Sequence, residues 1–311
     1  MTAPSRTARP GAVPPVPAPP ESLPGDRADR RPAGDAPAPP VLSLRGVRVT
    51  DRTGGRDVVH GVTFALAPGR TVGIVGESGS GKTLTCRAVL GILPEGFEVG
   101  GGTIEIEGTD IATLTPARWT ALRGAVISAV FQDPASYLDP SVTVGAQIAE
   151  VVRVKLGLKR RAARRRAVEL LDAVRLRDPE LVGGQYPYEL SGGMLQRVLI
   201  AAAIAAGPRV LIADEATTAL DVTVQAEILD LLADLRERTG LALVVVSHDL
   251  AVVAQLCDEV LVMRHGEVVE QGPADAVLRD PRHEYTRLLV TEHERYGLEK
   301  VLTPEPSKET P

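Results

Sequence analysis

The chain is short of the residues that staple, span or coat. Its 311 residues include only two cysteines, Cys86 and Cys257, so no disulfide framework can replace a core, and a reducing compartment is expected. The net charge of −5 gives no general pull toward nucleic acid. No stretch reaches the roughly 18 consecutive apolar residues of a membrane span. The nearest run, Val198–Ala206, stops at Gly207-Pro208-Arg209. A role at a membrane would therefore require docking on a protein that crosses it.

The first 40 residues also lack the continuous apolar stretch of a signal peptide. They hold twelve of the 25 prolines, mixed with alanine, glycine and arginine. Such a segment buries too little surface to offset its ordering entropy, so residues 1–40 read as a disordered tail. The composition as a whole is ordinary for a globular chain, with 44% hydrophobic and 24% charged residues.

Patterned sequence begins at "VLSLRGVRVT" (Val41–Thr50), whose alternation suggests a half-buried strand. "VHGVTFALAPG" repeats it and ends in a Pro-Gly turn, and "GTIEIEGTDI" (Gly102–Ile111) reads as another alternating strand. From about Ala135 to Gln185 the pattern turns helical. In "KRRAARRRAVELLDAVRL", Ala163, Ala167, Leu170, Leu171 and Val174 have the spacing of one helix face. Strand-like runs return in "RVLIADEA" and "LALVVVSHD", with a helix between them, which implies a parallel sheet with crossovers. "DEVLVMRHGEVVEQG" reads as a closing hairpin.

Lysine is scarce, at five residues, yet one stands in "GESGSGKT". This stretch, Gly76, Glu77, Ser78, Gly79, Ser80, Gly81, Lys82 and Thr83, fits G-x-x-x-x-G-K-[ST] between a strand-like "TVGIV" and a helix-like "LTCRAVLGIL". Glycines let backbone N–H groups converge on phosphate oxygens, Lys82 sets a cation against the β- and γ-phosphates, and Thr83 offers a hydroxyl to Mg²⁺.

A phosphate loop needs acids nearby. "RVLIADEA" places Asp214 and Glu215 at the C-terminal edge of a strand, where ligands of open α/β sheets bind. Asp214 suits Mg²⁺ through water, and Glu215 suits an attacking water. "VVVSHDL" repeats the device with His248, suited to the γ-phosphate and to holding the water-activating group. A second glycine turn, Ser191-Gly192-Gly193, has a good N-cap and a helix dipole but no lysine.

In that order, "GESGSGKT", "FQDP" (Phe131–Pro134), "LSGGMLQRV" (Leu190–Val198), "VLIADEATTALD" (Val210–Asp221) and "SHD" resemble the ATP-binding subunits of ABC transporters across roughly residues 41–290. The resemblance implies an α/β fold: a P-loop NTPase (RecA-like) core with an antiparallel β subdomain and a helical insertion at about 135–195. Residues 291–311 would form a C-terminal extension. It implies ATP and Mg²⁺ as ligands, Gln132 as a metal-sensing residue that also touches the membrane partner, and Asp221 as a dimer contact. It sets Ser191, Gly192, Gly193 and Gln196 against the nucleotide of a second ATPase subunit, identical or paralogous. Two permease subunits and an extracytoplasmic binding protein are the further partners, and the chain is placed at the cytoplasmic face of the membrane.

Within the family, "IVGESGSGKT", "ADEATTALDVTVQAEIL" and "DPRHEYTRLL" are similar to importers of dipeptides, oligopeptides and nickel. Soluble ABC ATPases that act on DNA or ribosomes, and ABC exporters, are the alternatives. The first would want a long coiled coil or a second set of motifs, and exporters lack the "RHEYTRLL" ending. "KRRAARRR" (Lys159–Arg166) has no aromatics nearby and reads as a solvated helix face, so no nucleic-acid partner is expected. Two departures stand out. Ala216 occupies the position where the family usually has a turn-stiffening proline. "TDRTGGRD" (Thr50–Asp57) lacks the aromatic that often stacks on adenine, and His60 is the nearest ring.

Overall fold

The computed structural model describes residues 39–216 and 221–294. The tail expected at 1–40 and the extension expected at 291–311 lie almost wholly outside them. The chain folds as two compact units, one formed by Asp133–Gly207 and the other by the remaining described residues. Each is treated by itself.

The larger unit opens with β1 (Leu42–Asp51) and β2 (Arg56–Leu66), an antiparallel pair. Their apolar alternation slips phase midway, from Leu42 and Leu44 to Val47 and Val49, yet all four are buried. A register shift between Leu44 and Val47 absorbs the slip at Gly46, whose φ of 59° suits glycine and whose N–H donates to Thr63 Oγ1 at 2.8 Å. A bulge thus keeps one face of the strand on the core.

After β3 (Thr71–Val75) and α1 (Lys82–Leu90), β4 (Phe97–Ile106) pairs with β1. The single strand expected over Gly102–Ile111 is corrected. β4 begins five residues earlier and ends at Ile106, and a tight turn at Glu107 (φ 50°) and Gly108 (φ 73°) leads into β5 (Thr109–Asp110), paired back on Glu105 and Ile106. Positive φ at both central residues is the two-residue hairpin geometry. Ile111 then starts a 3₁₀ turn, with the Asp110 carboxylate accepting from Ala112 N. α2 (Pro116–Leu122) precedes β6 (Ile127–Val130), a strand too short to show in the sequence pattern.

The remaining strands of this unit are β7 (Val210–Asp214), β8 (Ala242–Ser247), β9 (Glu259–Arg264) and β10 (Glu267–Pro273). The full strand order is β5-β4-β1-β2-β10-β9-β3-β8-β7-β6. β9, β3, β8, β7 and β6 run parallel, and β9–β10 is the expected hairpin. β3, β7 and β8 are buried at every residue, as parallel strands covered on both faces must be. The covering helices include α7 (Val222–Thr239), α8 (Leu250–Leu256), α9 (Ala274–Arg279) and α10 (Glu284–Glu294). The fold is a P-loop NTPase core with an antiparallel β subdomain.

The smaller unit is helical. In it lie α3 (Val144–Leu156), α4 (Arg160–Ala173), α5 (Pro179–Gly183) and α6 (Gly192–Ile204). Ala163, Ala167, Leu170, Leu171 and Val174 are all buried, while Arg160, Arg161, Arg164 and Arg165 are exposed. Among the described residues no helix is long and apolar enough to cross a membrane.

Candidate functional site, a phosphate loop at a parallel sheet edge

Strand register builds the site. Val75 pairs with Ser247, Val246 with Asp214, and Ala213 with Val130. The residues that follow β3, β7 and β8 therefore leave one edge together. These are Gly76, Glu215 and His248, and Gln132 follows β6 after one intervening residue.

The loop turns at Gly76 with φ 149°. A Cβ there would sit 2.1 Å from the Met263 carbonyl oxygen on β9 and 2.9 Å from Ser80 Oγ, so no other residue fits. Lys82, 4% exposed, donates from Nζ to the carbonyls of Gly76 at 2.6 Å and Glu77 at 2.8 Å. Burial pulls its pKa down, opposed by the charges of Glu215 and Asp214. A cation held in reserve against two carbonyls suits a polyanion that will replace them.

Thr83, at the start of α1, donates from Oγ1 to Asp214 Oδ1 at 3.2 Å. Asp214 is buried. Burial raises its pKa, and the Thr83 hydrogen bond opposes that shift. A hydroxyl and a carboxylate oxygen converging beside a phosphate loop fit a hard divalent cation that takes its other ligands from nucleotide and water. Among the described residues no three His, Cys, Asp or Glu side chains are grouped for a metal, so Mg²⁺ would depend on those outside ligands.

Glu215 has φ 50°, an uncommon value for a side-chain-bearing residue, and its N–H donates to Val246 O at 3.0 Å. Ala216 is 7% exposed. A residue before proline is biased toward extended backbone, and Ala216 puts no such restriction on Glu215. His248 Nδ1 lies 3.9 Å from Glu215 Oε1. The turn behind His248 is braced, because Asp249 accepts from Ala251 N at 2.8 Å and from Gln225 Nε2 on α7 at 3.2 Å. Gln225 has a bracing task that its helical sequence context did not suggest.

Gln132 is exposed at the same edge. Asp221 caps α7, its Oδ1 accepting from Val224 N at 3.0 Å, a local task separate from the dimer contact expected of it. His60 is tied to the loop by backbone: its N–H donates to Gly266 O at 2.8 Å, and Gly266 N–H donates to Ser80 O at 3.0 Å.

In the helical unit, Ser191 is the N-cap of α6 and accepts from Met194 N at 3.4 Å. Gly192 and Gly193 are its first two residues, and Ser191 and Gly192 are exposed. Gln196 departs from expectation. It is 1% exposed, on a run of buried residues Gln196–Val198, so its side chain is covered where Ser191 and Gly192 are open.

The ABC transporter family profile matches residues 59–218. A Brucella abortus relative is 45% identical over 254 residues, which is 81% of this chain and 76% of its own length. It is provisionally named a peptide import ATP-binding protein. The chain belongs to the ABC transporter ATPase family. A similarly named Brucella melitensis relative is 44% identical over 267 residues, covering 83% of this chain and 79% of its own. Among solved structures, the dimeric ATP-binding cassette MJ0796 in a post-hydrolysis state with ADP and Pi is 28% identical, with a TM-score of 0.67 over 75% of this chain and 98% of its own. The cbiO1 protein of Clostridium perfringens, part of the cbiONQ transporter complex, is 26% identical with the same TM-score over 81% and 99%.

Proposed function

We propose that the chain is the ATP-hydrolysing subunit of an ABC importer for peptides, peripheral on the cytoplasmic face of the membrane and docked on two permease subunits. The observation that carries the chemistry is the Thr83–Asp214 contact at 3.2 Å, with Glu215 and His248 leaving the same sheet edge. The peptide branch of the peptide-or-nickel expectation is favoured by the names of the Brucella relatives.

In this reading the loop amides and Lys82 hold the β- and γ-phosphates. Thr83 and Asp214, with Gln132 beside them, would hold Mg²⁺, whose charge would offset that on the phosphate oxygens. Water attacks the γ-phosphorus in line. The bond to the β-bridging oxygen breaks with its electron pair going to ADP, and Glu215 takes the water's proton. His248 keeps Glu215 placed and meets the γ-phosphate.

Ser191, Gly192 and Gly193 of a second ATPase subunit, identical or paralogous, complete the cage. Gln196 supports them from inside. ATP then joins two subunits and hydrolysis parts them, and the permease follows that cycle. Asp221 adds to the dimer contact, and an extracytoplasmic binding protein delivers the cargo.

Glu215→Gln tests the mechanism. ATP binding should stay within about threefold and hydrolysis should fall by about 10³, with ATP-bound dimers accumulating on size exclusion. Unchanged turnover in the purified complex with its permease would overturn the assignment. Calorimetry of the cognate binding protein against peptides and Ni²⁺ tests the cargo. Tight Ni²⁺ binding without peptide affinity would overturn the peptide reading.

A further inference from the structure

Nothing in the chemistry proposed for ATP uses the segment Asp280–Leu289. Its tyrosine is nevertheless 1% exposed and the bulkiest fully buried side chain among the described residues. The Tyr285 hydroxyl accepts a hydrogen bond from Glu77 N at 3.0 Å. Glu77 is the second residue of the phosphate loop, and its carbonyl receives Lys82 Nζ at 2.8 Å. One peptide unit on each side of this residue is therefore held, the amide by Tyr285 and the carbonyl by Lys82.

The hydroxyl is placed by several elements. The Arg264 guanidinium, at the end of β9, lies 4.7 Å from the ring centroid. Val75, Leu250, Val253 and Leu289 belong to the buried apolar cluster that includes Tyr285. On β10, Glu270 accepts from Arg282 N at 2.8 Å and His283 N at 3.0 Å, and His283 Nδ1 in turn accepts from Tyr285 N at 3.1 Å. Phenylalanine would fill the same space. What tyrosine adds is a hydroxyl at Glu77, an acceptor for its amide and a partner for its carboxylate.

The geometry points to Tyr285 as a positioning residue for ATP: its hydroxyl holds the Glu77 end of the phosphate loop in its phosphate-accepting shape and couples α10 to nucleotide binding. The inference rests on the reading that Gly76–Thr83 binds ATP. A loop shaped in advance loses less freedom when its ligand arrives. The coupling is reciprocal, so bound ATP also secures α10. The far end of that helix lies near the same machinery, with His293 Nε2 3.9 Å from Oδ1 of Asp249, the residue after His248.

The test is nucleotide affinity of the full chain carrying Tyr285→Phe, with Leu288→Ala as control, since Leu288 is a half-exposed side chain of the same helix. Titration with a fluorescent ATP analogue should show Kd raised roughly three- to tenfold for Tyr285→Phe, the worth of one neutral hydrogen bond, and unchanged for Leu288→Ala. Turnover at saturating ATP should stay within about twofold. The nucleotide-free melting temperature should fall by no more than about 4 °C.

Equal affinity of Tyr285→Phe and the native chain overturns the inference, as does an equal loss in the control. If Tyr285→Phe does not fold, amide exchange of the native chain without nucleotide decides. Protection of the Glu77 amide supports the inference, and exchange at an open-loop rate overturns it. Failure of the native chain itself to bind ATP would overturn the proposed function as well, which separates the two outcomes.

Discussion

The two glycine turns of this chain look alike in sequence and are built on opposite plans. In the phosphate loop the chain itself dictates the glycines. Gly76 has a φ of 149° and no room for a Cβ, and Lys82 and Tyr285 tie the neighbouring residue down. In the second turn, Gly192 and Gly193 are ordinary first-turn helical residues behind the Ser191 cap. Helix propensity alone favours alanine over glycine there, by up to about 1 kcal/mol per site. Backbone angle and space both call for glycine at Gly76, whereas helix propensity does not call for it at Gly192 and Gly193. In the proposed mechanism the first turn serves the nucleotide of its own subunit, and the second would serve one held by a second subunit.

Substitutions can break this contrast. The largest effect should come from Lys82→Ala, which removes the only cation the loop presents. Nucleotide affinity should fall by about a hundredfold or more, measured by equilibrium dialysis with labelled ATP, with no such loss in Ser191→Ala. Next, Gly76→Ala should destabilise the nucleotide-free chain by about 3 kcal/mol, because backbone must move from a 2.1 Å contact. Gly193→Ala should do the reverse. It should stabilise the chain by up to about 1 kcal/mol in denaturant unfolding, while lowering hydrolysis only in the assembled transporter. Equal unfolding shifts for the two glycine substitutions would erase the distinction.

A smaller effect concerns pH. Burial raises the Asp214 pKa above its ordinary 3.8. The folded chain therefore binds this proton more tightly than the unfolded chain, and the stability it contributes is present at low pH. That contribution is lost as pH rises from the unfolded pKa through the raised folded one. Asp214→Asn should flatten this part of the profile. Melting curves between about pH 4 and 7 check it, and parallel profiles for both proteins would contradict it.

Much of this was legible because the strongest signals are local. β3, β7 and β8 are unbroken apolar runs ending at the loop, the acid pair and the histidine, and their parallel register makes those ends meet. The buried face of α4 follows from its three-four spacing. Other features resisted for physical reasons. Glu107-Gly108 continues an alternating pattern, so a tight turn looked like strand. β6 is four residues long. Gln196 belongs to the motif in sequence, but helix phase buries it. Tyr285 and Glu77 lie 208 residues apart, and no local pattern marks a contact made only by the folded sheet.

The resting place of Lys82 has a consequence for turnover. Its ammonium is lodged on the carbonyls of Gly76 and Glu77. In the proposed mechanism the phosphates would have to draw it from that berth. Two backbone carbonyls thus offset the charge of a buried ammonium, so the loop supplies its own counter-dipoles to the cation it carries.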